Sequence, residues 1–206
     1  FTLRERKYKG NIKEICEEYF DLNTSYENIK QELSKIDEYL ENSIEYGKGI
    51  RILKQDLWET LISFIISANN NIPRIKTIIE RISKKYGNKI EFRGKEFYTF
   101  PTPKAMENAT VQDFRDLGLG FRDVRVYETI QRTLRNEIDL EKLKKENDIE
   151  ILREKLLEIP GVGPKVADCI MLFSLEKYQV FPVDVWVRRV ISELYFENKE
   201  QQPKTI

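Results

Sequence analysis

The chain has 206 residues, 40% of them hydrophobic and 34% charged, a composition that indicates a soluble globular protein. Its 35 basic and 35 acidic residues cancel, which argues against a protein that coats nucleic acid nonspecifically but not against an enzyme that holds a few phosphates with backbone amides. No apolar run reaches membrane-spanning length, and two cysteines are too few for a disulfide framework or a metal cluster.

The chain contains no histidine, so acid–base chemistry falls to carboxylates or lysine. The first helix is predicted over about residues 11–22, with Cys16 on its apolar face and expected to be buried. A second helix is predicted over about 25–36. A third, over 57–68, is apolar on nearly every side and is therefore expected in the core.

Three asparagines at 69–71 follow the core helix, and asparagine suits a helix end because it tolerates left-handed backbone. An amphipathic helix is predicted over 75–86, and residues 88–103 are expected to form an ordered connecting loop. A glycine turn at 117–122 then opens a helix to about residue 135. At this turn Phe121 is open to an ordinary interpretation as a core side chain.

A helical hairpin is the most informative part of the sequence. The periodicity of residues 149–158 predicts a helix, a Pro-Gly-Val-Gly run breaks it, and Pro164 suits the first turn of another helix. Gly161 and Gly163 leave backbone N–H groups unpaired just before a helix N-terminus, where an anion such as phosphate is favoured.

Lys165 follows this anion site directly. A lysine amine is ordinarily protonated and cannot attack carbon, but the positive end of a helix and partial burial favour the neutral amine. Such a lysine can form a Schiff base with a sugar C1′, and Asp184, at the expected start of the next helix, can orient it and stabilise positive charge. The pattern indicates chemistry on a nucleotide. The alternative is a solvent-facing lysine on an ordinary helical hairpin.

Residues 157–170, followed by Pro-Val-Asp-Val at 182–185, resemble the helix–hairpin–helix plus Gly/Pro…Asp signature of the DNA glycosylase superfamily. The closest resemblance is to its eukaryotic-type 8-oxoguanine DNA glycosylase/AP lyase branch. This implies an all-α fold with two helical subdomains flanking a cleft. It also implies removal of 8-oxoguanine opposite cytosine, with Lys165 and Asp184 as catalytic residues, Schiff-base chemistry and β-elimination. The four-cysteine iron–sulfur run of endonuclease III-type glycosylases is absent.

The resemblance also implies the residues that contact DNA. Asn69 would fill the hole left by the extruded base, and Phe121 would be the aromatic wedge, where the family often has tyrosine. Arg74 and Arg122 would donate to the O2 and N3 acceptors of the unpaired cytosine. Further DNA-binding residues are Asn70, Gly161, Gly163 and Val166, and the base pocket includes Cys169 and Phe173, although core packing is the alternative for Phe173.

The expected organisation is one helical glycosylase domain with two subdomains. Residues of about 11–50 and 139–206 form one and 51–136 the other, with the hairpin at about 149–176; the N-terminal sheet domain and C-terminal helix of the family are not recognisable. The expected partner is double-stranded DNA containing oxidised guanine, bound by a monomer without metal, organic cofactor or membrane, in the nucleoid of a prokaryote or the nucleus of a eukaryote. A glycosylase for another lesion and a noncatalytic DNA-binding hairpin module stay open as alternatives.

Overall fold

The structure, a computed structural model, describes residues 11–196. These residues are mostly helical, with one two-stranded sheet and short 3₁₀ helices at Lys104–Met106 and Gly120–Arg122, so the expected helical fold class is confirmed. The helices are α1 Ile12–Tyr19, α2 Tyr26–Ser34, α3 Glu38–Tyr46, α4 Leu57–Ser67, α5 Ile72–Tyr86, α6 Val111–Asp116, α7 Asp123–Leu134, α8 Leu140–Lys145, α9 Ile149–Leu157, α10 Pro164–Ser174 and α11 Val185–Tyr195; the strands are β1 Lys89–Phe92 and β2 Lys95–Tyr98. None of the described helices is both long and apolar enough to span a bilayer.

The chain divides into two compact units. One is Gln55–Val180, and the other combines residues 11–54 with 181–196 of the described chain. The expected boundary near residue 139 is therefore misplaced, because 139–180 belong with the residues that precede them. The physical reason is that α10 packs against both α4 and α9, which joins the hairpin to the central helix.

The core of the first unit is built around α4. Six apolar side chains of α4 are almost wholly buried: Leu57, Trp58, Leu61, Ile62, Ile65 and Ile66. Helix α10 adds Ala167, Ile170 and Met171 to the same core. Full burial of a large apolar side chain stabilises a fold by about 1.5–3 kcal/mol. The ring nitrogen of Trp58 donates to the Pro101 carbonyl at 2.9 Å, so its polar atom is also satisfied. The prediction that this helix lies in the core is confirmed.

The expectation of a connecting loop over residues 88–103 is wrong, since β1 and β2 pair antiparallel there with Ile90 opposite Phe97. Arg93 and Gly94 have φ values of 53° and 71°, the backbone of a two-residue turn whose twist matches that of paired strands. Alternation of charged and apolar residues over 89–92, directly before this turn, was the available signal for a strand.

The second unit is held differently. None of the residues of α1, α2, α3 or α11 is buried, and Cys16 on α1 is exposed, so the expectation of its burial is wrong. Asp21 is the one buried residue in the described part of this unit. Its carboxylate accepts hydrogen bonds from Thr24 at 2.8 Å and Tyr26 at 3.0 Å, and Lys54 lies at 3.6 Å. A polar cluster therefore takes the place that apolar residues hold in the first unit.

Candidate functional site

The turn of the helical hairpin has the geometry that its glycines predict. Val162 N–H donates to the Ile159 carbonyl at 3.0 Å, and Gly161 has a φ of +88°. A Cβ at Gly161 would lie 2.9 Å from Cδ of Arg125 and 3.3 Å from Cγ2 of Ile65. The left-handed backbone favours glycine at this position, and any larger residue would also displace the side chains of Arg125 and Ile65.

The N-terminus of α10 is open. Its N-cap, Gly163, has no side chain with which to cap the helix. Within residues 55–180, the backbone N–H groups of Gly163, Lys165 and Val166 have no hydrogen-bond acceptor. Unpaired amides at a helix N-terminus favour an anion. This geometry suits the predicted phosphate contact of the hairpin, which stays a prediction for each of these residues.

Lys165 lies half-buried in the first turn of α10, against an aromatic surface. Its Nζ is 5.3 Å from the centroid of the Phe64 ring, and that ring stacks on Phe173, with centroids 6.1 Å apart and planes 8° from parallel. Within residues 55–180, the amine has no hydrogen bond or ion pair. Phe64 was missed because it is one of many apolar residues in a core helix.

Asp184 occupies the start of a helix, as predicted. Its Oδ1 accepts the backbone N–H groups of Trp186 and Val187, each at 2.9 Å, and so caps α11. Within the described residues of its own unit, Oδ2 accepts no hydrogen bond. The carboxylate thus combines a structural role in one oxygen with a second oxygen that its unit leaves available.

The three asparagines after α4 have distinct roles. Asn69 has a φ of 49°, the left-handed conformation expected at this helix end, and is exposed. Asn70 donates to the Ile66 carbonyl at 3.1 Å and accepts from Asn71 N–H at 3.0 Å, so both ends of its amide hold the loop. Asn71 caps α5 by accepting the N–H of Arg74 at 3.0 Å. Asn69 is thus exposed with no side-chain hydrogen bond among the described residues of its unit, whereas the amides of Asn70 and Asn71 are occupied in caps.

Arg122 is buried, with only 2% of its surface exposed. Its guanidinium donates to the carbonyls of Ala68 at 2.7 Å, Asn69 at 2.6 Å and Leu119 at 3.1 Å. The arginine therefore joins the asparagine loop to the glycine turn. This differs from the expectation that Arg122 presents its donors to an unpaired base, because three of them are already committed to backbone carbonyls.

Arg74, in the first turn of α5, also contacts the glycine turn, since its Nη2 donates to the Gly118 carbonyl at 3.0 Å. At the tip, Phe121 is 56% exposed, so its interpretation as a core side chain is wrong. Its ring lies 4.2 Å from Cζ of Arg122 and 5.3 Å from Cζ of Arg125. An exposed ring held by two guanidinium groups is a suitable arrangement for a wedge.

The remaining pocket candidates lie further along α10. Cys169, one turn after Lys165, is buried at 3% exposure, whereas Phe173 is half-buried and stacks on Phe64. Both stay predictions as walls of a base pocket. Phe173 is the more accessible of the two, and its ring stacks on Phe64, the ring that Lys165 contacts.

An ion pair that the sequence did not suggest joins the two hairpin helices. Arg153 on α9 contacts the carboxylate of Asp168 on α10. Burial raises the pKa of Asp168, and the charge and hydrogen bond of Arg153 oppose that rise. Asp168 lies one turn after Lys165 on α10, so the pair joins the two helices close to that lysine. In the sequence, Arg153 and Asp168 are single charged residues on two helices, and no local pattern distinguishes them from other charged residues.

Two family profiles match the chain. One, described as the N-terminal domain of 8-oxoguanine DNA glycosylase, matches residues 2–61, and the other, described as HhH-GPD superfamily base excision DNA repair protein, matches residues 62–206. Part of the N-terminal domain is thus recognisable, contrary to the expectation from the sequence. Its described portion, residues 11–61, contains helices and no strand, so the pattern of a sheet was absent from it.

Individual relatives agree with these profiles. A probable N-glycosylase/DNA lyase of Methanothermobacter thermautotrophicus is 35% identical over 94% of this chain and 69% of the relative. An N-glycosylase/DNA lyase of Saccharomyces cerevisiae is 38% identical over 72% of this chain, which spans only 42% of it. The Clostridium acetobutylicum 8-oxoguanine glycosylase/lyase, solved with double-stranded DNA containing cytosine opposite 8-oxoG, is 46% identical with a TM-score of 0.89, over 94% of this chain and 66% of that one.

The resemblance to 8-oxoguanine DNA glycosylases is therefore confirmed at the level of family and fold. The similarity extends across both units of the chain, including the hairpin, the asparagine loop and the glycine turn. Since the superfamily profile covers well over half of its length, this chain belongs to the HhH-GPD superfamily of base excision DNA repair proteins.

Proposed function

We propose that this chain is a bifunctional DNA glycosylase/AP lyase that removes 8-oxoguanine from its pair with cytosine in double-stranded DNA. The observation that carries the proposal is Lys165, a half-buried amine on an aromatic surface, beside a helix N-terminus whose amides are open to phosphate. A hairpin that only bound DNA would need the amides but not the amine. The protein acts as a monomer, at the chromosome of its cell.

The reaction begins at the sugar. The lone pair of Lys165 Nζ attacks C1′ while the bond from C1′ to the base breaks, and the base leaves with the bonding electrons and takes up a proton. The sugar ring then opens to a Schiff base between Nζ and C1′. Loss of a proton from C2′ expels the 3′ phosphate by β-elimination, and water releases the lysine. These steps need no metal or organic cofactor.

The carboxylate of Asp184 stabilises the positive charge that develops on the sugar as the base departs. Its Oδ1 is fixed by two backbone N–H groups of α11, so the group is oriented before the substrate arrives. A charge held in a fixed position stabilises a transition state without the cost of reorganisation. Asp184 is therefore proposed as the electrostatic catalyst and Lys165 as the nucleophile.

Extrusion of the base costs a few kcal/mol, which inserted protein groups must offset. Phe121, exposed at the tip of the glycine turn, is proposed to wedge between base steps, and Asn69, exposed at the end of α4, to fill the vacated space. Both sit on segments that Arg122 joins through backbone carbonyls. The two inserted groups are therefore carried by backbone segments that are hydrogen-bonded to each other through Arg122.

A glycosylase for another lesion is the second candidate, and the DNA-3-methyladenine glycosylase of Bacillus subtilis favours it with 25% identity over 87% of this chain. Lys165 argues against a purely hydrolytic glycosylase, because such members of the superfamily that the chain resembles lack this lysine. The test is a cleavage assay over duplexes that contain 8-oxoguanine, an oxidised pyrimidine or an alkylated purine, each with borohydride trapping. We expect strand cleavage and a covalent adduct on the 8-oxoguanine duplex.

Lys165→Gln should abolish the adduct while the affinity for the duplex is preserved, since glutamine cannot form a Schiff base. If Lys165→Gln still forms the adduct at the parental rate, another amine is the nucleophile. If the parent protein acts best on the alkylated purine without trapping, the proposed substrate and the lyase step are both wrong.

Preference for cytosine opposite the lesion is assigned mainly to Arg74, because Arg122 is committed to carbonyls. Bidentate contacts to a base edge are worth about 1–3 kcal/mol, which corresponds to roughly a tenfold to hundredfold preference. Arg74→Ala should reduce the ratio of excision rates opposite cytosine and adenine more than it reduces excision itself. Arg81→Ala is the matched control, since Arg81 lies on the same helix and donates to the Leu117 carbonyl at 3.3 Å. Equal rates opposite all four bases in the parent would contradict the assignment.

A further inference from the structure

Three arginines lie close together around the glycine turn: Arg74, Arg122 and Arg125. Burial, and after it the neighbouring positive charges of Arg74 and Arg125, lowers the pKa of Arg122. Within residues 55–180 none of them forms an ion pair with a carboxylate. The nearby acid, Asp123, is bound instead to Arg115 at 2.8 Å. Three cations without an acidic partner favour the binding of an anion.

The three guanidinium groups differ in what they already bind. Arg122 donates to three backbone carbonyls and Arg74 to one. The side chain of Arg125 has no hydrogen-bond acceptor within residues 55–180, although a guanidinium carries five N–H donors. Arg125 is therefore the member of the cluster with all of its donors available.

Arg125 also occupies a particular place between two functional segments. Its aliphatic stem crosses Gly161, where a Cβ would meet its Cδ at 2.9 Å and its Cβ at 3.6 Å. Its guanidinium lies 5.3 Å from the Phe121 ring centroid. The positive charge thus lies between the exposed ring of the glycine turn and the hairpin whose next residues present open amides.

We infer that Arg125 is a DNA-binding residue that neutralises a backbone phosphate beside the hairpin. The inference rests on the proposed function for the identity of the anion, a phosphodiester of the lesion-containing duplex. Planar, paired donors suit phosphate oxygens, and the open amides of α10 add to the same attraction for an anion. Arg125 acts in binding, and no step of the chemistry passes through it.

The test is the salt dependence of DNA binding. The affinity for a duplex with a tetrahydrofuran abasic analogue opposite cytosine is measured between about 50 and 200 mM salt, a range over which phosphate contacts dominate. Arg125→Gln should make the slope of log affinity against log salt shallower by about 0.9, the value for one phosphate contact. Arg125→Lys keeps the charge and should retain the parental slope.

Arg93→Gln is the matched control. Arg93 also lies over an exposed phenylalanine, with Cζ 5.2 Å from the Phe92 ring, but on the β-hairpin turn. Its replacement removes the same charge and should leave the slope unchanged. The inference is overturned if Arg125→Gln keeps the parental slope, even when excision falls, because Arg125 then only braces Phe121. It is also overturned if Arg93→Gln changes the slope equally.

The proposed function is tested separately by excision in the parent protein. A parent that binds the abasic duplex but excises no lesion would refute the proposed activity and leave the slope comparison valid. Melting curves of both glutamine variants establish that each is folded. If Arg125→Gln is not, Arg125→Met, which also removes the charge but keeps an aliphatic stem beside Gly161, is measured in its place and should show the same shallower slope.

Discussion

The two proposed catalytic groups lie in units of the chain that differ in how much of their surface is buried. Residues 55–180, which hold Lys165, bury a continuous set of apolar side chains around α4. In the described residues 11–54 and 181–196, which hold Asp184, Asp21 alone is buried. Burial of a large apolar side chain contributes about 1.5–3 kcal/mol, and a hydrogen bond about 0.5–1.5 kcal/mol.

This difference shows that orientation can be achieved in two ways. Lys165 is held by a helix that is part of a core, and its direction follows from packing. Asp184 is held by the cap that it makes for α11, and α11 is joined to α3 by a hydrogen bond of 2.9 Å from Tyr195 to Asp37. Tyr39 adds an edge-to-face contact with Tyr195 at 5.7 Å. In this unit, polar and aromatic contacts do most of the positioning.

Truncation of apolar side chains should separate the two units most clearly. Leu61 is fully buried in α4. Its change to alanine should lower the unfolding free energy of the protein by about 2–5 kcal/mol, because a cavity remains. Ile29 on α2 is 48% exposed, and its change to alanine should cost about 0.5 kcal/mol or less. Urea unfolding measures both. A loss at Ile29 as large as that at Leu61 would show that this face of α2 is covered in solution.

The cap and the charge of Asp184 can be tested apart. Asparagine caps a helix as well as aspartate does, so Asp184→Asn removes the charge and keeps the cap. Single-turnover excision should fall about 10²- to 10³-fold with little change in DNA affinity or melting temperature. Asp184→Ala should in addition lose about 0.5–2 kcal/mol of stability from the cap. Normal excision by Asp184→Asn would mean that the residue serves the helix alone.

Low pH should reduce the contribution of the polar cluster around Asp21 to the unfolding free energy, and we expect this effect to be smaller than the effects of the Leu61 and Asp184 substitutions. Burial opposes ionisation of Asp21, but hydrogen bonds from Thr24 and Tyr26 and the charge of Lys54 lower its pKa below the ordinary value. A lowered pKa in the folded state means that the contribution to stability is present above about pH 4 and is lost as the pH falls further. Unfolding free energies of the parent and Asp21→Asn should therefore converge in acid. A difference that stays constant down to pH 3 would exclude this linkage.

Local signals predicted much of the site. The glycines of the hairpin, the left-handed Asn69 and the position of Asp184 at a helix start follow from backbone preferences of single residues. The core position of α4 follows from its composition. The resemblance to a known signature then connected Lys165 and Asp184 to a reaction.

Other features depend on what a residue meets in space. Phe64 under the lysine and Arg125 across Gly161 are contacts between distant parts of the chain, and no local pattern marks them. The exposure of Cys16 was missed because an amphipathic pattern identifies an apolar face without showing whether another element covers it. The β-hairpin was missed because the left-handed turn at Arg93 does not have one of the residue types that usually mark such turns.

The hydrogen bonds of Arg122 have a consequence for the thermodynamics of recognition. They hold the carbonyls of Ala68 and Asn69, and with them the left-handed backbone of Asn69, within the folded protein. Fixing one residue's backbone costs about 1–2 kcal/mol in conformational entropy, and here that cost falls on folding instead of on association with the duplex. The loop is preorganised, and the affinity that its contacts generate is not reduced by the ordering of a flexible segment.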